Sequence, residues 1–175
     1  MGSITAHGVK ISMNWPHLHL LTNHIPIFVT LSGVLVLGWA LLRKEQTTLW
    51  PALLLLLLGT GGGLLTYWLG EQSYRPVRPI ADEIGQEWLD LHMDRAEQLI
   101  WIHWLALSST LAAAIATWKS LRFSCFLCWS ACVFGVSTVG TAAWIADAGG
   151  KVRHSEIRTK NPPKADSSES GPHEH

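Results

Sequence analysis

Nine histidines are the side chains of this chain best suited to chemistry. A neutral imidazole ligates transition metals, and a titrating one carries a proton near neutral pH. His173 and His175 stand among the last three residues and His7 lies in a polar amino-terminal stretch, so these three read as solvated. Six remain: His17, His19, His24, His92, His103 and His154. Cys125-Phe-Leu-Cys128 is a CxxC, but Trp129 follows where His would be needed, which excludes a c-type haem attachment site. Cys132 stands one turn further on the same helix face. Packing as small apolar residues is the first expectation for the three cysteines, and a thiol redox or metal role the second. Asp90, Asp94 and Glu97 fall at i, i+4 and i+7. They form a solvated helix face or partners for Arg75, Arg78 or Arg95; a docking patch for a soluble electron carrier, or a proton entry at a quinone site, is the functional alternative. Nothing resembles a nucleophile triad, a phosphate loop or an HExxH zinc motif.

The elements that must position these groups follow from where charge is missing. Asp, Glu, Lys and Arg are absent from 18–42, 46–70, 98–118 and 123–146, so 95 of the 175 residues carry none of the 26 charges. About 20 apolar residues cross the ~30 Å hydrocarbon layer as a helix. Four such windows predict an all-α membrane protein, with four transmembrane helices in an antiparallel bundle. The length allows one domain. Equal numbers of acids and bases argue against nucleic-acid binding, and three cysteines cannot build a disulfide framework.

Along the chain, 1–17 is a polar segment without the basic start, short apolar core and cleavage site of a secretory signal. The membrane domain is expected over 18–154, with spans at about 23–43, 49–70, 91–118 and 123–147. Asn23 to Pro26 suits the start of the first span, because Asn caps helices and Pro is tolerated in a first turn. The connection KEQTT is short enough to make spans one and two a hairpin. Gly59, Gly61, Gly62 and Gly63 give span two a small-residue surface for a close helix or, alternatively, a flat cofactor. The 71–97 connection is the longest and turns acidic and helical from Asp82. Gly149-Gly150 should end span four. The 155–175 tail, with Pro, Ser and charge but no aromatics, is expected to be disordered. Trp15, Trp50, Trp68, Trp88, Trp118 and Trp144 fall near span ends as an interfacial belt would; Trp39, Trp101, Trp104 and Trp129 lie deeper and read as packing residues. The two short turns carry Arg43, Lys44, Lys119 and Arg122 against Glu45. Positive residues in short loops favour the cytoplasm, which puts both termini on the periplasmic side.

All six histidines then gather at the end of the bundle that bears the termini. At 1.5 Å per residue His24 lies just outside the apolar layer and His103 ~6 Å inside it. His92 is eleven residues before His103, which returns it to within ~20° of the same helix face. An unsatisfied polar group in hydrocarbon costs several kcal/mol, so each buried imidazole needs a partner. Imidazoles on separate helices, without intramembrane carboxylates, suit a b-type haem held in a four-helix bundle. The structural alternative is interfacial histidines that only make interhelical hydrogen bonds. By depth, His24 and His103 form the first candidate axial pair, with His19, His92 and His154 available to a second, shallower haem.

The stretch His19-Leu-Leu-Thr-Asn-His24-Ile-Pro26-Ile27 resembles the opening motif, roughly H-P-x-x-V-H-F-P-I, of an uncharacterised family of small bacterial four-helix membrane proteins. That family also tends to carry a His at the start of the third span, matched by His92. It often ends in Gly-Gly, a short apolar-basic stretch and His, as in Gly149-Gly150-Lys-Val-Arg-His154. The similarity covers about 17–155 and departs from the motif at Leu20, Asn23 and Ile25. It implies a haem-binding cytochrome of the bacterial inner membrane, often encoded or fused with redox proteins. The expected activity is therefore electron transfer through one or two b haems at the outer face, as a subunit of a redox complex rather than a stand-alone enzyme. Expected partners are membrane lipid, other redox subunits, and a periplasmic cytochrome or quinol. The rival is a structural anchor subunit without haem.

Overall fold

The computed structural model describes residues 14–158 and Pro162. His7, His173, His175 and most of the expected 155–175 tail lie outside the described residues. The described chain is helical: α1 (Trp15–Thr22), α2 (Ile25–Arg43), α3 (Leu49–Val77), α4 (Glu83–Trp118) and α5 (Ser124–Arg153), with single 3-10 turns at Arg78–Ile80 and Ser155–Ile157. With α1 and α2 taken as one segment, Trp15–Arg43, four helices are long and apolar enough to cross a membrane.

The first long helical segment starts earlier than the charge pattern suggests. Asn14, not Asn23, is the side-chain cap, accepting from the backbone N–H of His17. Asn23 and His24 instead form the joint between α1 and α2. Pro26 causes that joint: it has no N–H, so the carbonyl of Thr22, four residues back, loses its helical donor. The hydroxyl of Thr66 on α3 takes over, donating to Thr22 O at 3.0 Å as well as to Gly62 O at 2.8 Å. At the other ends, α3 continues past 70 to Val77, and α4 begins at Glu83, where the Asp82 carboxylate accepts from Gly85 N.

Packing is built from small residues inside and large ones outside. A Cβ on Gly59 would strike Thr30, one on Gly33 would strike Leu56, and one on Gly62 would strike Ile25, so α2 and α3 meet backbone to backbone. One buried cluster joins Leu37, Leu53, Leu56, Ala113, Cys128 and Cys132; a second, at the end bearing the histidines, joins Ala81, Trp88, Leu89, Ala148 and Val152. Outward, Phe126 is 71% exposed and Leu42 73%, with Leu35, Leu54, Val133 and Val136 also turned away from the core. Contiguous apolar surface on that scale marks a face covered by something apolar.

The deep tryptophans do not pack internally as expected. Trp39, Trp101, Trp104 and Trp129 are all exposed on the apolar exterior, whereas Trp88, expected at an interface, is buried. Where the helices approach closely through glycine, alanine and threonine there is no interior room for an indole; Trp88 is buried in the second cluster, away from those contacts. Gly149-Gly150 does not end the fourth helix either, since α5 runs on to Arg153. Part of the tail expected to be disordered is fixed: Arg158 forks onto Asp82 at 2.6 and 2.9 Å and donates to the carbonyls of Lys151 and Val152. The guanidinium beside it holds the Asp82 carboxyl below its ordinary range.

Candidate metal centre at the histidine end

His19 on α1 and His92 near the start of α4 come together, 73 residues apart in sequence. Their ring centroids are 6.2 Å apart and their planes cross at 73°. Each ring is tied by Nδ1 to a backbone carbonyl on a neighbouring helix, His19 to Thr66 O at 3.0 Å and His92 to Ile145 O at 2.9 Å. A carbonyl oxygen only accepts, so Nδ1 must carry the proton in both rings and Nε2 is left with its lone pair. Neither Nε2 makes a hydrogen bond among the described residues.

Glycine makes these placements possible. An ideal Cβ on Gly70 of α3 would lie 3.1 Å from His19 Cε1, and one on Gly149 of α5 would lie 3.0 Å from both Cε1 and Nδ1 of His92. His103 has a seat of the same kind against Gly63, where a Cβ would come within 3.0 Å of Nε2. Gly63 and Gly70 are seven residues apart, so α3 offers two imidazole seats about two turns, or ~10.5 Å, apart on one face. His103 is 5% exposed, and its Nδ1 makes no well-formed hydrogen bond.

The other sequence candidates stand apart. His24 is exposed at the α1–α2 joint, its ring 6.1 Å from Phe28. Among the described residues the ring contacts pair His19 with His92 rather than His24 with His103. Depth alone favours His24 and His103; His24 is instead exposed, and His19, five residues and ~140° around the helix from it, lies against α3. His154 is exposed and bonds to Glu156 at 2.7 Å, and His17 is exposed on α1. Among the described residues no three His, Cys, Asp or Glu side chains converge on one point. Cys128 and Cys132 are buried in the first core cluster, with Cys128 Sγ 3.7 Å from Thr117 Oγ1, and Cys125 is exposed. Asp90 takes the Tyr74 hydroxyl and a fork from Arg78.

Spacing gives the pair a chemical meaning. With a metal–imidazole bond of about 2.0 Å and a ring centre about 1.2 Å behind its nitrogen, two trans ligands hold their centroids about 6.4 Å apart. The observed 6.2 Å is close to that value, and with planes crossing at 73° it is also the edge-to-face contact that two rings make without a metal. Sequence reasoning found both imidazoles but not their partners, Thr66, Ile145, Gly70 and Gly149. A glycine or a carbonyl on a distant helix carries no local signal, although seven-residue spacing between Gly63 and Gly70 was visible. Compared with protein-family models, with curated proteins and with solved structures, the chain finds no match.

Proposed function

We propose that this chain is a four-span membrane cytochrome, its helices antiparallel, that holds one b-type haem between His19 and His92. The observation that carries this reading is the pair itself: two imidazoles with ring centroids 6.2 Å apart, each with Nδ1 held by a carbonyl and Nε2 without a hydrogen bond among the described residues. Metal-bound histidines characteristically donate their other N–H in this way, which sets the tautomer and the aim of the ring. Two side chains are too few for the four-ligand cages of zinc proteins. They suffice for a macrocycle that brings its own equatorial nitrogens.

When bound, the haem supplies one-electron redox chemistry. The chain's residues do the rest: Thr66 and Ile145 orient the ligands, and Gly70 and Gly149 let the rings lie against α3 and α5. The apolar second cluster around Trp88 and Leu89 keeps water from that end of the bundle. The large apolar exterior supports insertion in a bacterial inner membrane. The cationic turns at Arg43–Lys44 and Lys119–Arg122 support a periplasmic position for the histidine end, where a quinol or a periplasmic cytochrome exchanges electrons.

Haem-sufficient expression followed by a reduced-minus-oxidised spectrum and a pyridine haemochrome assay tests the reading. His19→Ala and His92→Ala should each abolish the b-type band, while His24→Ala and His154→Ala retain it. A second reading has its own support, since the same Nδ1 bonds clip α1 to α3 and α4 to α5 without any metal. A folded wild-type protein that takes up no haem would leave only that structural role standing.

A further inference from the structure

Arg95 is an unusual occupant of the interior beside this pair. It sits three residues after His92 on α4, with its side chain only 10% exposed. NH1 donates to Trp144 O at 2.8 Å, one residue from the Ile145 carbonyl that takes His92. The guanidinium lies over the Trp144 indole, 4.0 Å from its centre. Its Nε is buried and has no hydrogen-bond partner.

Neutralisation is incomplete as well. The nearest acid, Asp147, is 3.8 Å away and half exposed, and it is engaged more closely by Lys151 at 2.7 Å. Two cations thus share one carboxylate at the margin of an apolar layer, with the Lys151 ammonium itself over the Trp88 ring. Burying a guanidinium whose charge and donors are only partly met is expensive, and an ionisable residue in a membrane helix is a functional-site candidate. Arginine's planar fork matches a carboxylate better than any other side chain.

We propose that Arg95 is a carboxylate-binding residue that takes a propionate of the haem held by His19 and His92. This rests on the haem reading, and it adds which side of the cofactor faces α5. His92 and Arg95 donate to the consecutive carbonyls of Ile145 and Trp144 on α5, so the guanidinium would stand beside a group held by His92. Nε provides the free donor, and the spare positive charge offsets the charge that arrives. Arg95 is a binding residue for the cofactor; it holds no electron and touches no ligand nitrogen.

The test uses purified full-length protein in detergent, titrated with haem and with haem dimethyl ester, whose propionates are neutral. A hydrogen bond to a charged group contributes enough to make wild type prefer the free acid by roughly tenfold to a hundredfold. Arg95→Gln should bind both forms equally and keep its b-type band, with an altered midpoint potential. Equal affinity of wild type for acid and ester would overturn the proposal while leaving the His19–His92 centre intact, and this needs no variant to fold. An unchanged preference in Arg95→Gln would overturn it too. Failure of wild type to bind either form would remove the haem reading and the clamp together.

Discussion

Gly149→Ala separates the histidine centre from the stability of the bundle. The added Cβ would stand 3.0 Å from both Cε1 and Nδ1 of His92. Comfortable contact begins near 3.4 Å, so the ring must retreat by about 0.4 Å. It has little freedom to do so, because Nδ1 is held at 2.9 Å by Ile145 O on the same helix as the new methyl. Disturbing an outer partner of a ligating histidine typically lowers metal affinity about 10- to 100-fold. The backbone, by contrast, gains about 0.8–1.0 kcal/mol from replacing glycine with alanine inside a helix, which offsets most of the crowding. The expected signature is a haem affinity reduced at least tenfold with unfolding stability within about 1 kcal/mol of wild type. Gly140→Ala is the control: a Cβ there meets nothing within 4 Å, so stability should rise and haem affinity stay unchanged. Haem titration by absorbance and SDS-induced unfolding followed by circular dichroism read the two quantities. If Gly149→Ala binds haem as wild type does, the carbonyl tether does not set the aim of His92.

Two further outcomes follow from the packing and the tail. Gly59→Ala places a methyl against the backbone of Thr30, which cannot yield, so it should lose about 1–3 kcal/mol in SDS unfolding, whereas Gly38→Ala, in open space, should not lose any. The Arg158 fork depresses the Asp82 carboxyl, so its contribution is complete above the unfolded value near 3.9 and is lost as pH falls through the lower folded value. Protection of the Ser155–Ile157 turn against hydrogen exchange, measured relative to the intrinsic rate at each pH, should therefore hold at pH 5 and above and fall below about pH 4, and Asp82→Asn should show the reduced protection at neutral pH.

How much of this was legible depended on whether the signal was local. Charge exclusion is legible because it runs along a whole window whichever way each side chain faces, so four windows correspond to four long apolar helices. Helix ends were less legible, since α4 begins at Glu83 and α3 persists to Val77 through polar residues that no apolar count includes. The histidines were visible as ligand candidates, but depth along an ideal helix paired them wrongly for proximity. His19 and His24, five residues apart, project ~140° apart around the helix, so only one of them can face α3. Tryptophan depth misled for a related reason: a bundle closed by Gly33, Gly59 and Gly135 expels large rings to its exterior. Arg95 was seen only as a possible partner of nearby acids, and its actual neighbours are a carbonyl and an indole 49 residues away, together with Asp147.

The Pro26 joint is the point at which sequence, fold and centre meet, and a double-mutant cycle tests it. Pro26 deprives Thr22 O of a donor, and Thr66 supplies one from α3 while its own carbonyl holds His19. Thr66→Val keeps the shape and removes the hydroxyl, leaving a carbonyl unpaired in an apolar setting at a cost of about 1–3 kcal/mol. Pro26→Ala restores an N–H that can return to Thr22 O and removes the reason for the joint. In the Pro26→Ala background, Thr66→Val should therefore cost much less, because the carbonyl no longer depends on α3. The two substitutions share a partner, so they should couple by roughly 1 kcal/mol or more. Haem affinity should move the other way: Pro26→Ala straightens the entry of the first span, rotates His19 off Thr66 O, and weakens binding even where the bundle is stable. Strict additivity in unfolding would mean that Thr66 does not replace the donor that proline removes, and that the bend positioning His19 has another cause.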